Sequence, residues 1–377
     1  MRIAQVAPLY ESVPPPGYGG TERVVSWLTE ELVARGHEVT LFASGDSSTE
    51  ARLVSGSVRA LRTDSNCKDP LAHHLLMLEQ VRRHSHEFDI VHFHTDYLHF
   101  PLTRQCKFSH VTTLHGRLDL PDLVPMFREF REVPVVSISR AQRVPLAWAN
   151  WVGNVYHGLP GNALRFHAKP GSYLAFIGRV SPEKRPDRAV RIAEASGIPL
   201  KVAAKIDRAD RDYYESKIKH LFAKPCVEFI GEIGDDQKAE FLGNAFACLV
   251  PIDWPEPFGL NMIEAMACGT PLIAFRNGSV PEIIEDGVNG YIVESVEEAV
   301  RAVKQIPLLS RKSCRNSFEG RFTARRMAAD YLKIYERQLG PQTTYHRRPV
   351  LREPVVSVSD LPDSVVNVAE MIPEELS

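Results

Sequence analysis

Glu256 and Glu264 stand eight positions apart, the first just ahead of a helical stretch and the second inside it. An apolar strand (Ala247, Cys248, Leu249, Val250) ends in Pro251, and a loop rich in Pro, Asp and Trp follows. A helix of about ten residues comes next, then a second apolar strand from Pro271 to Phe275. Pro257, Phe258, Gly259 and Leu260 open the helix. Gly259 lets a ligand approach the backbone, and the free N–H groups of a helix start favour an anion. One carboxylate beside that anion site and another about two turns deeper can hold hydroxyls at both ends of a phosphorylated ligand. Sugar hydroxyls, a pyrophosphate and ribose hydroxyls occur in that order in a nucleotide diphosphate-sugar. The plainer reading makes Glu256 an early-helix acid and Glu264 a solvent-facing one, since carboxylates near helix starts are common.

A second block runs from Phe176 to Lys184. A strand ends at Gly178, and two cations, Arg179 and Lys184, follow five residues apart. Arg offers a planar fork to phosphate oxygens and Lys a compact charge; a solvated basic loop is the alternative. Gly17-Tyr18-Gly19-Gly20-Thr21-Glu22 lies between the first strand and the first helix, and is neither Gly-x-Gly-x-x-Gly nor a P-loop. Its glycines permit close approach, and Thr21 or Glu22 is placed to cap the helix. His92, His94, His115 and His157 fall near predicted strand ends, without the close helical pair that would argue for a metal. Gly231-Glu232-Ile233 follows another strand.

Together these blocks resemble the donor-binding signature of family-4 retaining glycosyltransferases with the GT-B fold. The match includes Glu256 to Leu260 and Glu264 to Pro271. It continues through Gly278, Pro281-Glu282, Asp286-Gly287 and Asn289-Gly290. The resemblance implies that Arg179 and Lys184 bind the donor diphosphate and stabilise the charge that builds as it leaves, with no divalent metal and no cofactor. It implies that Glu264 holds ribose hydroxyls and Glu256 the sugar. Phe258, Gly259 and Leu260 then border the diphosphate, and Glu232 and Ile233 fall in the base-binding loop. His115 contacts the donor sugar by hydrogen bonding. Gly19 and Gly20, with Glu22, line the cleft near donor phosphate and acceptor; His94, Asp96 and Ser139 are further acceptor-side candidates. The chain departs from the family pattern at Lys184-Arg185, where Lys-Gly is usual, and at Asn261, where an apolar residue is frequent. It departs again at Lys205-Ile206-Asp207, where glycines are common, and Lys205 is expected at the cleft mouth.

The elements that must position these residues alternate strand and helix twice over, the pattern of parallel sheets covered on both faces. A length of 377 residues suggests two cores. The expected architecture is α/β: two facing Rossmann-like doubly wound domains with a cleft between them. We place an acceptor-side domain over 1–160 and a donor domain over 161–322. A helix over 323–340 crosses back to the first domain, and 341–377 reads as a flexible tail. The stretch from Asn150 to Pro170 reads as linker. Hydrophobic content of 44%, charged content of 24% and a net charge of -2 are those of a soluble globular protein with no global pull towards nucleic acid. No apolar run spans a bilayer. Six scattered cysteines without a Cys-x-x-Cys pair read as reduced residues of a cytoplasmic protein.

The reading is therefore a retaining hexosyltransferase. It takes glucose first of all from a UDP-sugar and passes it to the hydroxyl of a soluble or small acceptor. The segment Pro125 to Glu132, after the His115 loop, mixes aromatic residues with both charges and lacks the cationic stripe that would suggest an anionic membrane. Two rivals remain: a nucleotide-sugar epimerase of the same fold, and a nucleotide-sugar-binding protein without turnover.

Overall fold

The computed structural model describes residues 1–17 and 19–340; Tyr18 and the tail after 340 lie outside the described residues. Two parallel sheets organise them. The first has seven strands: β1 (Arg2–Val6), β2 (Glu38–Ser44), β3 (Arg52–Ser57), β4 (Ile90–Phe93), β5 (His110–Thr113), β6 (Val135–Ser137) and β7 (Trp151–Asn154). The second has six: β8 (Tyr173–Arg179), β9 (Leu200–Lys205), β10 (Val227–Gly231), β11 (Ala245–Val250), β12 (Leu272–Phe275) and β13 (Gly290–Val293). Their orders are 3-2-1-4-5-6-7 and 10-9-8-11-12-13. In each sheet the order reverses beside the first strand, between β1 and β4 and between β8 and β11. A doubly wound sheet opens its ligand crevice at such a point, at the carboxyl ends of the strands.

The strands are short apolar runs because both faces are covered. Val24, Leu28 and Leu32 of the first helix (Gly20–Ala34) lie in one apolar cluster with Ile3, Ile90 and Val111 of the first sheet. The same cluster takes Met327, Tyr331, Ile334 and Tyr335 from the closing helix (Ala324–Leu339). That helix follows the second domain in sequence but completes the core of the first. Where it crosses over, Leu159 N donates to Phe322 O at 3.0 Å and Ala324 N to Leu159 O at 2.8 Å, so the two crossing segments run side by side. Burying each such Tyr, Ile or Met contributes about 1.5–3 kcal/mol.

Several local expectations are corrected. The stretch read as linker from Asn150 begins with a real strand: β7 pairs with β6 and closes the first sheet. Its mixture of Trp, Gly and Asn hides an edge strand that is only half-buried. Strand β3, with Gly56 in its middle, was not foreseen; that glycine lies under Leu9 and Met77. After β6 the chain makes a 3-10 turn, Ala141–Leu146, with Pro145 inside it. The stretch from Arg208 to Phe222 is made of short 3-10, α and π pieces. Thr21 and Glu22 do not cap the first helix; Gly19 occupies the cap without a side-chain bond.

Candidate functional site

The carboxyl ends of both sheets open on one cavity of about 650 Å³, walled by both domains. On the second-domain side, Arg179 ends β8 and Lys184 follows one turn later. The loop after β11 carries Trp254 and Glu256 into the helix Leu260–Ala267. Gly259 takes φ +82° as the N-cap of that helix, a conformation that favours glycine. The loop is pinned from behind. Ser279 N donates to Glu256 O at 3.0 Å and Ser279 Oγ to Phe258 O at 2.7 Å. At Gly278 a Cβ would stand 2.4 Å from the backbone of Glu256, so no other residue lets the two segments meet.

The four cations of this wall, Arg179, Lys184, Lys205 and Lys238, each meet a carboxylate. Lys184 Nζ bonds Glu256 Oε2, which also accepts from Trp254 Nε1 at 3.0 Å, and the ammonium sits 5.2 Å from the Trp254 ring. Lys238 Nζ meets Glu264 Oε1 at 2.8 Å. Arg179 faces Glu183 at 2.8 Å, Asp210 at 3.5 Å and Asp207 at 3.7 Å, and Lys205 meets Asp207 at 3.3 Å. Asn261 donates to Ile177 O at 3.2 Å, tying the helix start to β8.

The first-domain wall is different. His94 Nδ1 lies 2.8 Å from His115 Nε2, and the His115 ring stacks on His157 at 5.2 Å. Burial pushes the His115 imidazole down to about 3 and those of His94 and His157 well below their ordinary value, so all three are neutral. Burial also raises the Glu22 carboxyl to about 7, helped by the nearby Glu11. Asp96 opens on the water of the cleft, yet the atoms crowded around it raise its carboxyl to about 6. It sits at φ +49°, an uncommon conformation for a residue with a side chain.

The walls touch. Arg23 of the first helix donates to Gly17 O at 2.6 Å and pairs with Asp235 of the second domain. Glu282 of the second domain accepts from Arg140 N at 2.8 Å, Ala141 N at 2.7 Å and Tyr156 Oη at 2.8 Å.

All the residues given a site role from the sequence line this cavity except Ser139, and His92, named beside the other histidines, lies behind the wall against Tyr335 and Thr113. The Ser139 hydroxyl instead accepts from Gln142 N at 3.1 Å, capping the 3-10 turn. The segment Pro125 to Glu132 also stays off the cavity wall. Phe127 is in the core, and Glu129 and Glu132 each meet Arg104 at 2.6 Å. Sequence reasoning missed Lys238 and Arg23, and gave no role to Trp254 or to His157. Lys238 has no local signal, since its importance comes from a neighbouring helix. Arg23, beside a glycine loop and ahead of Val24 and Val25, was the readable one. Among the described residues no group of His, Cys, Asp and Glu is arranged to hold a metal ion.

Residues 165–318 match the family described as glycosyl transferases group 1, and residues 18–155 match glycosyltransferase family 4. The chain belongs to the family-4 glycosyltransferases of the GT-B fold. Over 335 residues this glycosyltransferase is 25% identical to an uncharacterised glycosyltransferase, MJ1607, of Methanocaldococcus jannaschii, covering 77% of this chain and 84% of that one. Its fold is shared with the sucrose-phosphate synthase of Thermosynechococcus elongatus at a TM-score of 0.72 and 20% identity, over 90% of this chain and 99% of that one. It is also shared with Anabaena Alr3699/HepE solved with UDP-glucose, at a TM-score of 0.66 and 17% identity, over 88% and 98% of the two chains. No helix of the described residues is long and apolar enough to cross a membrane.

Proposed function

We propose that this glycosyltransferase moves a hexose, glucose first of all, from a UDP-sugar to an acceptor hydroxyl, with retained α configuration and without a divalent metal. The carrying observation is that Arg179, Lys184, Glu256, Glu264 and the glycine-opened helix start share one cavity wall. In this reading the diphosphate takes Lys184 from Glu256, and Arg179 and the amides near Gly259 complete its cradle. Glu256, released, accepts from sugar hydroxyls. Glu264 accepts from the ribose, and the backbone at Glu232 and Ile233 meets the base. Gly19 and Gly20 lie against the phosphates. His115 meets the sugar, with Glu22, His94 and Asp96 towards the acceptor.

The chemistry is then a front-face substitution. The bond from the anomeric carbon to the phosphate oxygen breaks, and the acceptor oxygen bonds to the same face. The departing phosphate oxygen takes the acceptor proton, and UDP leaves. The positive charge of Arg179 and Lys184 stabilises that developing anion. Contact between the walls excludes water and limits donor hydrolysis. Six unpaired thiols among the described residues support a cytoplasmic site of action within this reading.

The test is transfer from UDP-glucose to a panel of polyol and sugar acceptors without added metal, with the product anomer read by NMR. Alpha-linked product, lost in Arg179→Ala and in Glu264→Ala, supports the reading. Unchanged donor turnover in both variants would falsify it, and conversion of the donor without any acceptor would point to an epimerase.

A further inference from the structure

Gln5, His92 and Thr113 share one face of the first sheet with Ile3, Ile90 and Val111, which stand two residues earlier on the same strands. All six are fully buried, and Tyr331 and Tyr335 of the closing helix cover them. The sheet thus turns from apolar to polar on its way to the cleft. Buried polar groups need partners, and these find one another in sequence. The Tyr331 hydroxyl lies 2.9 Å from Thr113 Oγ1, which lies 2.7 Å from His92 Nε2. His92 Nδ1 lies 2.7 Å from the Tyr335 hydroxyl, to which Gln5 Nε2 donates over 3.1 Å. Gln5 Oε1 and His94 Nε2 are 2.8 Å apart, as are His94 Nδ1 and His115 Nε2. The series runs unbroken from the closing helix to the cavity wall.

Gln5 gives the series a direction, because an amide donates at nitrogen and accepts at oxygen. Its nitrogen is on Tyr335, so its oxygen faces His94 Nε2, which must carry a proton. A neutral imidazole has one N–H, so His94 Nδ1 is an acceptor and His115 Nε2 must donate to it. His115 Nδ1 then carries the lone pair, and it has no partner among the described residues. A buried acceptor without a partner costs free energy that a ligand's hydroxyl recovers.

We propose that Tyr335, acting through Gln5 and His94, holds His115 in its Nε2–H tautomer, so that Nδ1 stands ready to accept from a hydroxyl of the donor sugar. The proposal rests on the reading above that His115 meets the sugar. Tyr335, Gln5 and His94 are here positioning residues, and the closing helix becomes part of the reaction centre's supporting shell.

The test is nitrogen NMR of the full chain with labelled histidine, alongside calorimetry with UDP and with UDP-glucose. The wild type should show His115 protonated at Nε2 and bare at Nδ1. Tyr335→Phe keeps the ring and removes the hydroxyl. It should give mixed His115 tautomers and about tenfold weaker UDP-glucose binding, with UDP binding unchanged. Gln5→Leu should do the same. A wild-type His115 protonated at Nδ1 overturns the proposal. So does a Tyr335→Phe protein that melts earlier but keeps its tautomer and its preference for UDP-glucose over UDP. If the tautomer changes as expected but the wild type binds no UDP-glucose, the positioning series stands and the donor reading fails.

Discussion

The second-domain wall of the cleft is dominated by ion pairs, and the part of the first-domain wall around His115 by neutral buried groups. Lys184 with Glu256 and Lys238 with Glu264 keep both signs of charge at the site. Leaving one such ion buried and unpaired costs about 3–5 kcal/mol, so a diphosphate and a set of hydroxyls can replace the protein's own partners at modest cost. Across the cleft, His94, His115 and His157 have lost their charge to burial, and Glu22 holds its proton up to about pH 7. One wall exchanges charge partners; the other offers fixed hydrogen bonds. An anionic leaving group suits the first, and the uncharged sugar suits the second.

Removing a cation from the charged wall should have the largest effect. Arg179→Ala is expected to cost about 3–4 kcal/mol of transition-state stabilisation, a loss of about 10²–10³ in kcat, measured by steady-state transfer. An equal loss in UDP binding with kcat preserved would show that Arg179 binds the ground state alike, and the contrast between the walls would weaken. On the neutral wall, His115→Ala should lower transfer by about thirtyfold while the Kd for UDP stays put. A matching loss of UDP affinity would break the division of labour. Glu264→Gln keeps shape and removes charge, and should weaken UDP by about tenfold, read by calorimetry.

The smallest effect concerns pH. Because the native Glu22 pKa of about 7 lies above its ordinary value of 4.5, the folded chain holds this proton more tightly than the unfolded chain does. The favourable contribution is therefore complete below about pH 4.5 and is lost as pH rises through about 7. Glu22→Gln should stabilise the protein at pH 8 by on the order of 1 kcal/mol and should not do so at pH 4, by thermal melts at both values. Equal melting shifts at the two pH values would place the carboxyl in an ordinary solvated setting.

The charged wall was the more legible of the two. Arg179, Lys184, Glu256 and Glu264 stand in local blocks whose residue types state their chemistry, and the apolar runs around them mark both sheets. What escaped the sequence depends on contacts between distant segments. Lys238 reaches Glu264 from another helix, and Arg23 reaches Asp235 from another domain. Strand β7 has too few apolar residues to signal itself, and Pro145 converts a helical pattern into a tighter turn. The histidines were visible as residues but not as a series, because their order is set by strand register and by a helix far along the chain.

That distance along the chain has a consequence during synthesis. Residues 1–154 leave the ribosome well before Met327, Tyr331, Ile334 and Tyr335 of their apolar cluster. The face that the first helix covers only in part must wait for the rest of its cover while the second domain is translated. A chain that stops before Ala324 leaves that face partly open, and a released protein acquires its finished first domain only after its carboxyl-terminal segment has emerged.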